Sequence, residues 1–209
     1  MDGKNTRKIG AVILAAGLSK RMNTSKQFLL LNGVPLFIHA VSLASECGLE
    51  PIILVIGENE GEYEKYLVNY PNVIILKNEC FREGMGTSLR LGVQFVNDQV
   101  EAIMIFLADQ PFVTKEVVMK MVNKYHELGV RPQYTIIRPK YKNMEGHPIL
   151  FDVSLFPEFN FLEGDKGGKS IIKKYRKYLK IINFDKQIYG FDIDTPEEYL
   201  IAKRYRGPF

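Results

Sequence analysis

The chain has 209 residues, of which 46% are hydrophobic and 25% are charged, a composition typical of a globular protein with a full apolar core. The net charge of +4 is too small by itself to indicate nucleic-acid binding, and no apolar run approaches the ~20 residues of a membrane span. The two cysteines, Cys47 and Cys80, are too few for a disulfide framework or a zinc site. We therefore expect a cytoplasmic protein of one domain, residues 1–209, with neither nucleic acid nor membrane as a partner.

Short β-branched runs alternate with longer amphipathic segments along the chain. The runs predict strands at Ile9–Ala15, Pro51–Ile56, Val73–Leu76, Ala102–Ala108, Tyr134–Arg138, His147–Phe151 and Lys180–Phe184. The amphipathic segments predict helices at Pro35–Cys47, Glu60–Asn69, Gly86–Val96, Thr114–Leu128, Ser170–Tyr178 and Pro196–Tyr205. This alternation favours a three-layer α/β/α, Rossmann-like fold with a mostly parallel sheet. Pro148 predicts that its strand lies close to a sheet edge.

A loop of small residues follows the first predicted strand, in the segment Leu14-Ala15-Ala16-Gly17-Leu18-Ser19-Lys20-Arg21-Met22. Small residues let backbone N–H groups approach phosphate oxygens, and Arg21 and Lys26 are close enough in sequence to meet one triphosphate. The loop is neither a GxGxxG fingerprint nor a P-loop. A simple turn with solvated cations explains the same spacing, so the spacing alone leaves both interpretations open.

A second glycine segment, from Asn78 to Arg90, precedes and begins the third predicted helix. Gly86 and Ser88 at a helix start provide exposed N–H groups, the positive end of a helix dipole and a hydroxyl. Such groups can contact a base or a ribose. A plain capped helix is the alternative.

Two acidic segments are candidates for a metal site. Asp109 ends an apolar strand, where a carboxylate is costly unless it is paired or bound to metal. Asp192 and Asp194 are two residues apart and point the same way if their segment is extended. Magnesium takes few protein carboxylates and completes its shell with waters and phosphates. The structural alternatives are a turn cap at Asp109 and a helix N-cap at Asp194.

Together these segments resemble the nucleotidyltransferases that activate sugars, isoprenoid alcohols and the molybdenum cofactor, and they are most similar to the molybdenum cofactor cytidylyltransferase group. The resemblance extends from Ile9 to Tyr205 and rests on the first loop with Lys26, the second glycine segment and both acidic segments. It implies a nucleotide-binding half at about 9–111 and an acceptor-binding half at about 112–205. The nucleotide-binding residues that it implies are Leu14, Ala15, Ala16, Gly17, Asn78, Gly86 and Ser88.

The resemblance also implies the catalytic groups. Arg21 and Lys26 would stabilise charge on the departing pyrophosphate, and Asp109 with Asp194, preferred slightly to Asp192, would hold Mg²⁺. Ala16 stands where guanylyltransferase relatives carry glycine, which favours CTP as the donor. Asn23 departs from the family pattern, which usually has glycine there.

On the acceptor side, the segments Gly146-His147-Pro148 and Gly164–Lys169 resemble those of the same group, so His147, Asp165 and Lys169 are expected to bind the acceptor. Lys169 stands where the group usually has arginine. The expected function is Mg²⁺-dependent transfer of CMP from CTP to molybdenum-molybdopterin, an anionic pterin, with a molybdoenzyme or its chaperone as a further partner. The alternatives are GTP as donor, a sugar, polyol or isoprenoid phosphate as acceptor, and a non-catalytic cofactor carrier.

Overall fold

A computed structural model of the chain describes residues 8–19, 21–22, 25–129, 134–205 and 207. Lys20 and Asn23 lie outside the described residues. The strands are β1 Ile9–Leu14, β2 Leu30–Leu31, β3 Val34–Pro35, β4 Ile52–Ile56, β5 Val73–Lys77, β6 Ala102–Leu107, β7 Ile136–Tyr141, β8 Met144–Glu145, β9 Ile149–Asp152 and β10 Leu179–Phe184. The helices are α1 Leu36–Glu46, α2 Glu60–Tyr66, α3 Met85–Val96, α4 Lys115–Glu127, α5 Phe156–Phe159, α6 Lys169–Lys174 and α7 Pro196–Arg204.

The main sheet has the strand order β10-β7-β9-β6-β1-β4-β5, with β8 paired to β7. The pairs on either side of β1, the β4–β5 pair and the β7–β10 pair are parallel, which confirms the prediction of a mostly parallel α/β sheet. Strand β9 is antiparallel to both of its neighbours, β6 and β7, and lies inside the sheet. The prediction of an edge position was therefore wrong. Pro148 precedes the first paired residue, Ile149, so the proline removes no ladder hydrogen bond.

Helices cover both faces of this sheet because the strands are apolar on both sides. In β1, Ile13 packs into the core under α1 and α4, whereas Val12 faces α3 on the opposite side. Successive side chains of a strand point to opposite faces, so a strand buried on both faces has a continuous apolar sequence. The run in Ile9–Leu14 meets this requirement, and the three-layer prediction is confirmed.

Helix α3 lies unusually close to the sheet. A Cβ atom built on Gly92 would lie 2.6 Å from Cγ1 of Val12 and 3.2 Å from Cγ2 of Val55, so only glycine fits this contact. The close approach fixes the helix, and therefore its first turn, against the carboxyl ends of β1 and β4. No helix in the described part of the chain is long and apolar enough to cross a membrane.

Candidate active site

Several of the predicted site residues lie where the parallel strands end. Backbone hydrogen bonds extend the ladders just past the strands: Ala15 donates to the Val55 carbonyl (2.8 Å), and Ala108 donates to the Leu14 carbonyl (3.1 Å). Asn78 likewise donates its N–H to the Ile56 carbonyl at 2.8 Å. These bonds hold the residues after β1, β5 and β6 at one edge of the sheet, where ligands bind in open α/β folds. Leu14 itself lies in the strand and packs against the core.

Lys26 joins two carboxylates that are far apart in the sequence. Its Nζ lies 2.5 Å from Oδ2 of Asp109 and 2.6 Å from Oδ1 of Asp194. The guanidinium of Arg21 contacts the other oxygen of Asp194 at 2.7 Å. Lys26 is 9% exposed, whereas the Arg21 side chain is 66% exposed. The structure thus brings all four predicted catalytic and metal-binding residues into one cluster.

The cluster stabilises the charged forms of its members. Burial alone would lower the pKa of Lys26, but the ion pairs with Asp109 and Asp194 outweigh it and raise that pKa above the ordinary value. Burial would raise the pKa of Asp194, and its contacts with Lys26 and Arg21 lower it instead. Lys26 is therefore a protonated cation held between two carboxylates at neutral pH.

The segment that carries Asp194 is attached to the end of β6. Ile193 is fully buried and donates its N–H to the Asp109 carbonyl at 3.0 Å, so Asp192 and Asp194 flank it on the site side. Asp192 accepts a hydrogen bond from Gln110 Nε2 (2.7 Å) rather than pairing with Lys26. Partial desolvation of its carboxyl, together with the negative charge of Asp109, raises the pKa of Asp192 to about 6.

Helix α7 begins two residues after Asp194, and its cap leaves the Asp194 carboxylate available. Thr195 is the N-cap: its hydroxyl accepts from the Glu198 N–H, and the Glu198 carboxylate accepts from the N–H groups of Asp194 and Thr195. The alternative of Asp194 as the N-cap is therefore wrong, because a complete capping box occupies that position.

The two carboxylates suit a hard divalent cation. Oδ1 of Asp109 is buried and has no hydrogen-bond partner among the described residues. A buried oxygen of this kind normally has a partner, and a metal ion would supply one. No group of three or more potential metal-binding side chains occurs in the described residues. A divalent cation held by these two carboxylates would complete its shell with water or phosphate oxygens.

In the second glycine segment, polar side chains bind mainly to one another. Asn78 is 5% exposed, and its amide donates to the hydroxyls of Thr87 and Ser88, both at 2.8 Å. Its oxygen accepts from the Cys80 N–H at 3.0 Å. Asn78 and Ser88 therefore connect the end of β5 to the first turn of α3. Direct contact of these residues with a nucleotide stays a prediction.

The acceptor-side loop touches this same helix start. Oδ1 of Asp165 accepts from the Met85 N–H at 3.2 Å. A Cβ atom on Gly84 would lie 2.4 Å from the Gly164 carbonyl carbon, and one on Gly86 would lie 3.0 Å from the Gly164 oxygen. The absence of side chains at Gly84 and Gly86 thus allows the two loops to meet. The structure places Asp165 against the nucleotide segment, and a direct role in acceptor binding stays a prediction.

His147 and Lys169 form the other part of the predicted acceptor side. Burial, and then the positive charges of Arg138 and Lys169, lower the pKa of the half-buried His147 ring to about 3. The His147 carbonyl accepts a hydrogen bond from the Tyr141 hydroxyl at 2.6 Å. Nη1 of Arg138 forms an ion pair with Oε2 of Glu145, also at 2.6 Å. His147 is consequently neutral at physiological pH and lies near the positive charges of Arg138 and Lys169.

A cleft lies between the loop after β1 and the residues that follow β4. Its lining contains Ala15, Ala16, Gly17, Leu18, Ser25, Gln27, Phe28, Gly57, Glu58, Asn59, Tyr63 and Phe81. The sequence predicted Ala15, Ala16 and Gly17 as nucleotide-binding residues, and it did not point to Gln27 or Tyr63. The one available signal was that Gln27 is a polar residue directly before an apolar run, Phe28–Leu31.

A glycine loop, a buried lysine and two carboxylates at the carboxyl edge of a parallel sheet define an enzyme of the nucleotidyltransferase class. Comparison with protein families agrees: the model described as the MobA-like NTP transferase domain matches residues 11–179. The chain belongs to this family.

Individual proteins are also similar to this chain. The 2-C-methyl-D-erythritol 4-phosphate cytidylyltransferase of Clostridium botulinum is 28% identical, over 94% of this chain and 96% of that protein. The crystal structure of Rv0371c from Mycobacterium tuberculosis matches 96% of this chain and all of its own, with a TM-score of 0.80 at 25% identity. A structure of Rv0371c in complex with manganese, at 24% identity and a TM-score of 0.70, has the same fold and matches 93% of this chain and 97% of its own.

Proposed function

We propose that the protein transfers the cytidylyl group of CTP to a small phosphorylated acceptor and releases pyrophosphate. An oxygen of the acceptor phosphate forms a bond to the α-phosphorus of CTP, and the bond between that phosphorus and the pyrophosphate oxygen breaks. The observation that carries the proposal is the cluster of Lys26, Arg21, Asp109 and Asp194 beside the glycine loop. The acceptor phosphate is already an anion, so the reaction needs no strong general base.

The protein's own groups act by position and by charge. In this proposal Arg21 and Lys26 stabilise the negative charge that builds up on the departing pyrophosphate. Asp109 and Asp194 would hold Mg²⁺, and the unpartnered Oδ1 of Asp109 supports this assignment. The bound ion would supply a positive charge for the phosphate oxygens.

CTP is the proposed donor for two reasons. The curated relative named above is a cytidylyltransferase. Ala16 lines the cleft and stands where the similar guanylyltransferases carry glycine, as in the cytidine-using branch. GTP is the competing donor.

The proposed acceptor is a polyol phosphate, because the curated relative is named for 2-C-methyl-D-erythritol 4-phosphate. Molybdenum-molybdopterin is the second candidate, and a specific feature favours it: the segments with His147 and Gly164–Lys169 resemble those of the molybdenum cofactor group. The chemistry that both candidates share is a phosphate monoester on a small organic molecule.

Pyrophosphate release tests the proposal directly. CTP and GTP are each supplied with Mg²⁺ and with 2-C-methyl-D-erythritol 4-phosphate, purified molybdenum cofactor or no acceptor. Acceptor-dependent release with CTP and the polyol phosphate supports the proposal. Release only with molybdenum cofactor would move the acceptor assignment to the second candidate, and faster release with GTP would contradict the donor assignment. Nucleotide binding without release under any condition would indicate a carrier.

A further inference from the structure

Gln27 is a buried polar residue that the proposed chemistry does not use. It is 5% exposed and lies next to Lys26 in the short 3₁₀ turn Lys26–Phe28. Its Nε2 donates to two carbonyl oxygens of the glycine loop, those of Ala15 (3.1 Å) and Gly17 (2.9 Å). Both amide protons of one side chain are thus directed to the loop.

Two neighbouring hydroxyls complete this network. The Tyr63 hydroxyl also donates to the Ala15 carbonyl, at 3.1 Å. The Ser19 hydroxyl donates to Oε1 of Gln27 at 3.3 Å and accepts from the Lys26 N–H at 3.1 Å. Gln27 therefore connects the loop after β1 to the turn that carries the catalytic lysine.

Consecutive backbone N–H groups of the glycine loop have no acceptor in the described part of the chain. Among the described residues, no hydrogen bond from the N–H groups of Ala16, Gly17 or Leu18 is found, and all three residues line the cleft. Carbonyl oxygens carry partial negative charge and repel phosphate, whereas N–H groups attract it. A residue that fixes these carbonyls on the protein side therefore favours an anion on the cleft side.

We infer that Gln27 is a positioning residue that holds the glycine loop in its polyphosphate-binding conformation, with Tyr63 as a second donor to the same loop. This inference rests on the proposed function, because it assumes that the loop receives the triphosphate of CTP. In this role Gln27 acts through the backbone of the loop and does not contact the substrate. It also explains why an amide is buried at a position where an apolar side chain would pack.

Three variants separate the positioning role from simple packing. Gln27→Met keeps the length of the side chain and removes both donated hydrogen bonds. Tyr63→Phe removes only the hydroxyl and leaves the ring in its contacts with Phe28 and Phe37. Gln94→Met is the matched control, since the Gln94 amide donates to Asn160 at an exposed position outside the cleft.

The experiment measures binding by calorimetry at 25 °C with two probes, Mg²⁺-CTP and inorganic tripolyphosphate, and checks folding by urea unfolding. We expect Gln27→Met to lower the affinity for both probes by about tenfold or more. Tyr63→Phe should lower both affinities by a few-fold, and Gln94→Met should leave both unchanged. In steady-state assays with the acceptor that supports turnover, Gln27→Met should raise KM for CTP and leave KM for the acceptor unchanged. A general loss of packing would not produce this split.

Several outcomes would overturn the inference. The inference is wrong if Gln27→Met binds tripolyphosphate as tightly as the wild type does, and this result leaves the proposed function intact. It is also wrong if the substitution weakens the binding of CTP alone, because the residue would then act on the base or the ribose. Failure of the wild-type protein to bind either probe would overturn both the inference and the proposed function. If Gln27→Met does not unfold cooperatively, Gln27→Glu and Tyr63→Phe are judged by the same criteria.

Discussion

Arg21 and Lys26 reach the same carboxylate from very different surroundings. The Arg21 side chain is 66% exposed and that of Lys26 is 11% exposed. Exposed ion pairs contribute little to folding, so Arg21→Ala should change the free energy of unfolding by less than about 0.5 kcal/mol. If its guanidinium acts on charge that grows in the transition state, kcat should fall by about 30- to 1,000-fold, equivalent to about 2–4 kcal/mol. Pyrophosphate release at saturating substrates measures this.

The control for Arg21→Ala is Lys120→Ala, which removes a cation from an exposed ion pair with Glu116 in helix α4. It should leave both kcat and stability near the wild-type values. A rise in KM for CTP with kcat unchanged in Arg21→Ala would contradict the transition-state role and leave only ground-state binding.

Asp109 differs from Asp194 in having a buried oxygen without a partner. We expect Asp109→Asn to reduce turnover by more than about 100-fold, because one of the two carboxylates proposed to hold the metal is lost. Lys26 keeps its contact with Asp194, so the loss of unfolding free energy should stay below about 3 kcal/mol. Steady-state pyrophosphate release measures the change in turnover, and urea unfolding measures the change in the free energy of unfolding.

Asp152→Asn is the matched control for Asp109→Asn. Asp152 ends β9, accepts from the Tyr125 hydroxyl at 2.6 Å and caps the following turn, so its loss should affect stability and spare turnover. Turnover of Asp109→Asn within a few-fold of wild type would instead make Asp109 a structural residue.

At the scale of elements, the contact of α3 with the sheet depends on one missing side chain. Gly92→Ala places a Cβ 2.6 Å from Cγ1 of Val12, which forces the helix away from β1. Overpacking of this kind costs about 1–3 kcal/mol, and the better helix propensity of alanine offsets about 1 kcal/mol of it. We expect a net loss of stability in urea unfolding, together with weaker CTP binding because the start of α3 borders the site.

Gly61 provides the comparison for Gly92. It lies in helix α2, and a Cβ built there meets no atom within 4 Å. Gly61→Ala should therefore be neutral or stabilise the protein by up to about 1 kcal/mol. Equal effects of the two substitutions would show that helix propensity, rather than the distance to Val12, decides the result.

The sequence predicts best those elements whose own residues show that they are buried. The β-branched run of Ala102–Leu107 is buried on both faces and was placed within one residue of its observed end. The position of β9 was mispredicted because strand order depends on pairing with β6 and β7, which are distant in sequence. Pro148 constrains only its own N–H, and a proline just before a strand is compatible with an interior position.

At the scale of the whole molecule, the location of the site was predictable and its internal pairing was not. The carboxyl ends of parallel strands meet at one edge, so Asp109 and the glycine loop were expected to be neighbours. The ion pair of Lys26 with Asp194 joins residues 168 positions apart and depends on where the chain returns after β10. The use of the Asn78 amide within the protein, on Thr87 and Ser88, likewise follows from tertiary packing alone.

The stability of the whole molecule should depend on pH through His147. Its folded-state pKa is about 3, against an ordinary value of 6.5, because of burial and of the charges of Arg138 and Lys169. Between these two pH values the unfolded chain binds a proton that the folded chain does not bind. The neutral ring therefore makes its full contribution to the free energy of unfolding above about pH 6.5. This contribution is lost as the pH falls, by up to about 1.4 kcal/mol per pH unit.

His147→Asn removes this titration, so its free energy of unfolding should fall less steeply than that of the wild type between about pH 6.5 and pH 4. The variant is expected to be the less stable protein at neutral pH, where the packed ring is neutral, and the difference should narrow as the solution becomes more acidic. Urea unfolding of both proteins at about pH 7, 6, 5 and 4 measures the two slopes. An NMR titration of the wild-type ring gives an independent check, since the folded ring should stay neutral down to about pH 4. Parallel stability curves, or a ring that takes up its proton near pH 6.5 in the folded protein, would mean that the ring is solvated and free of the Arg138 and Lys169 charges.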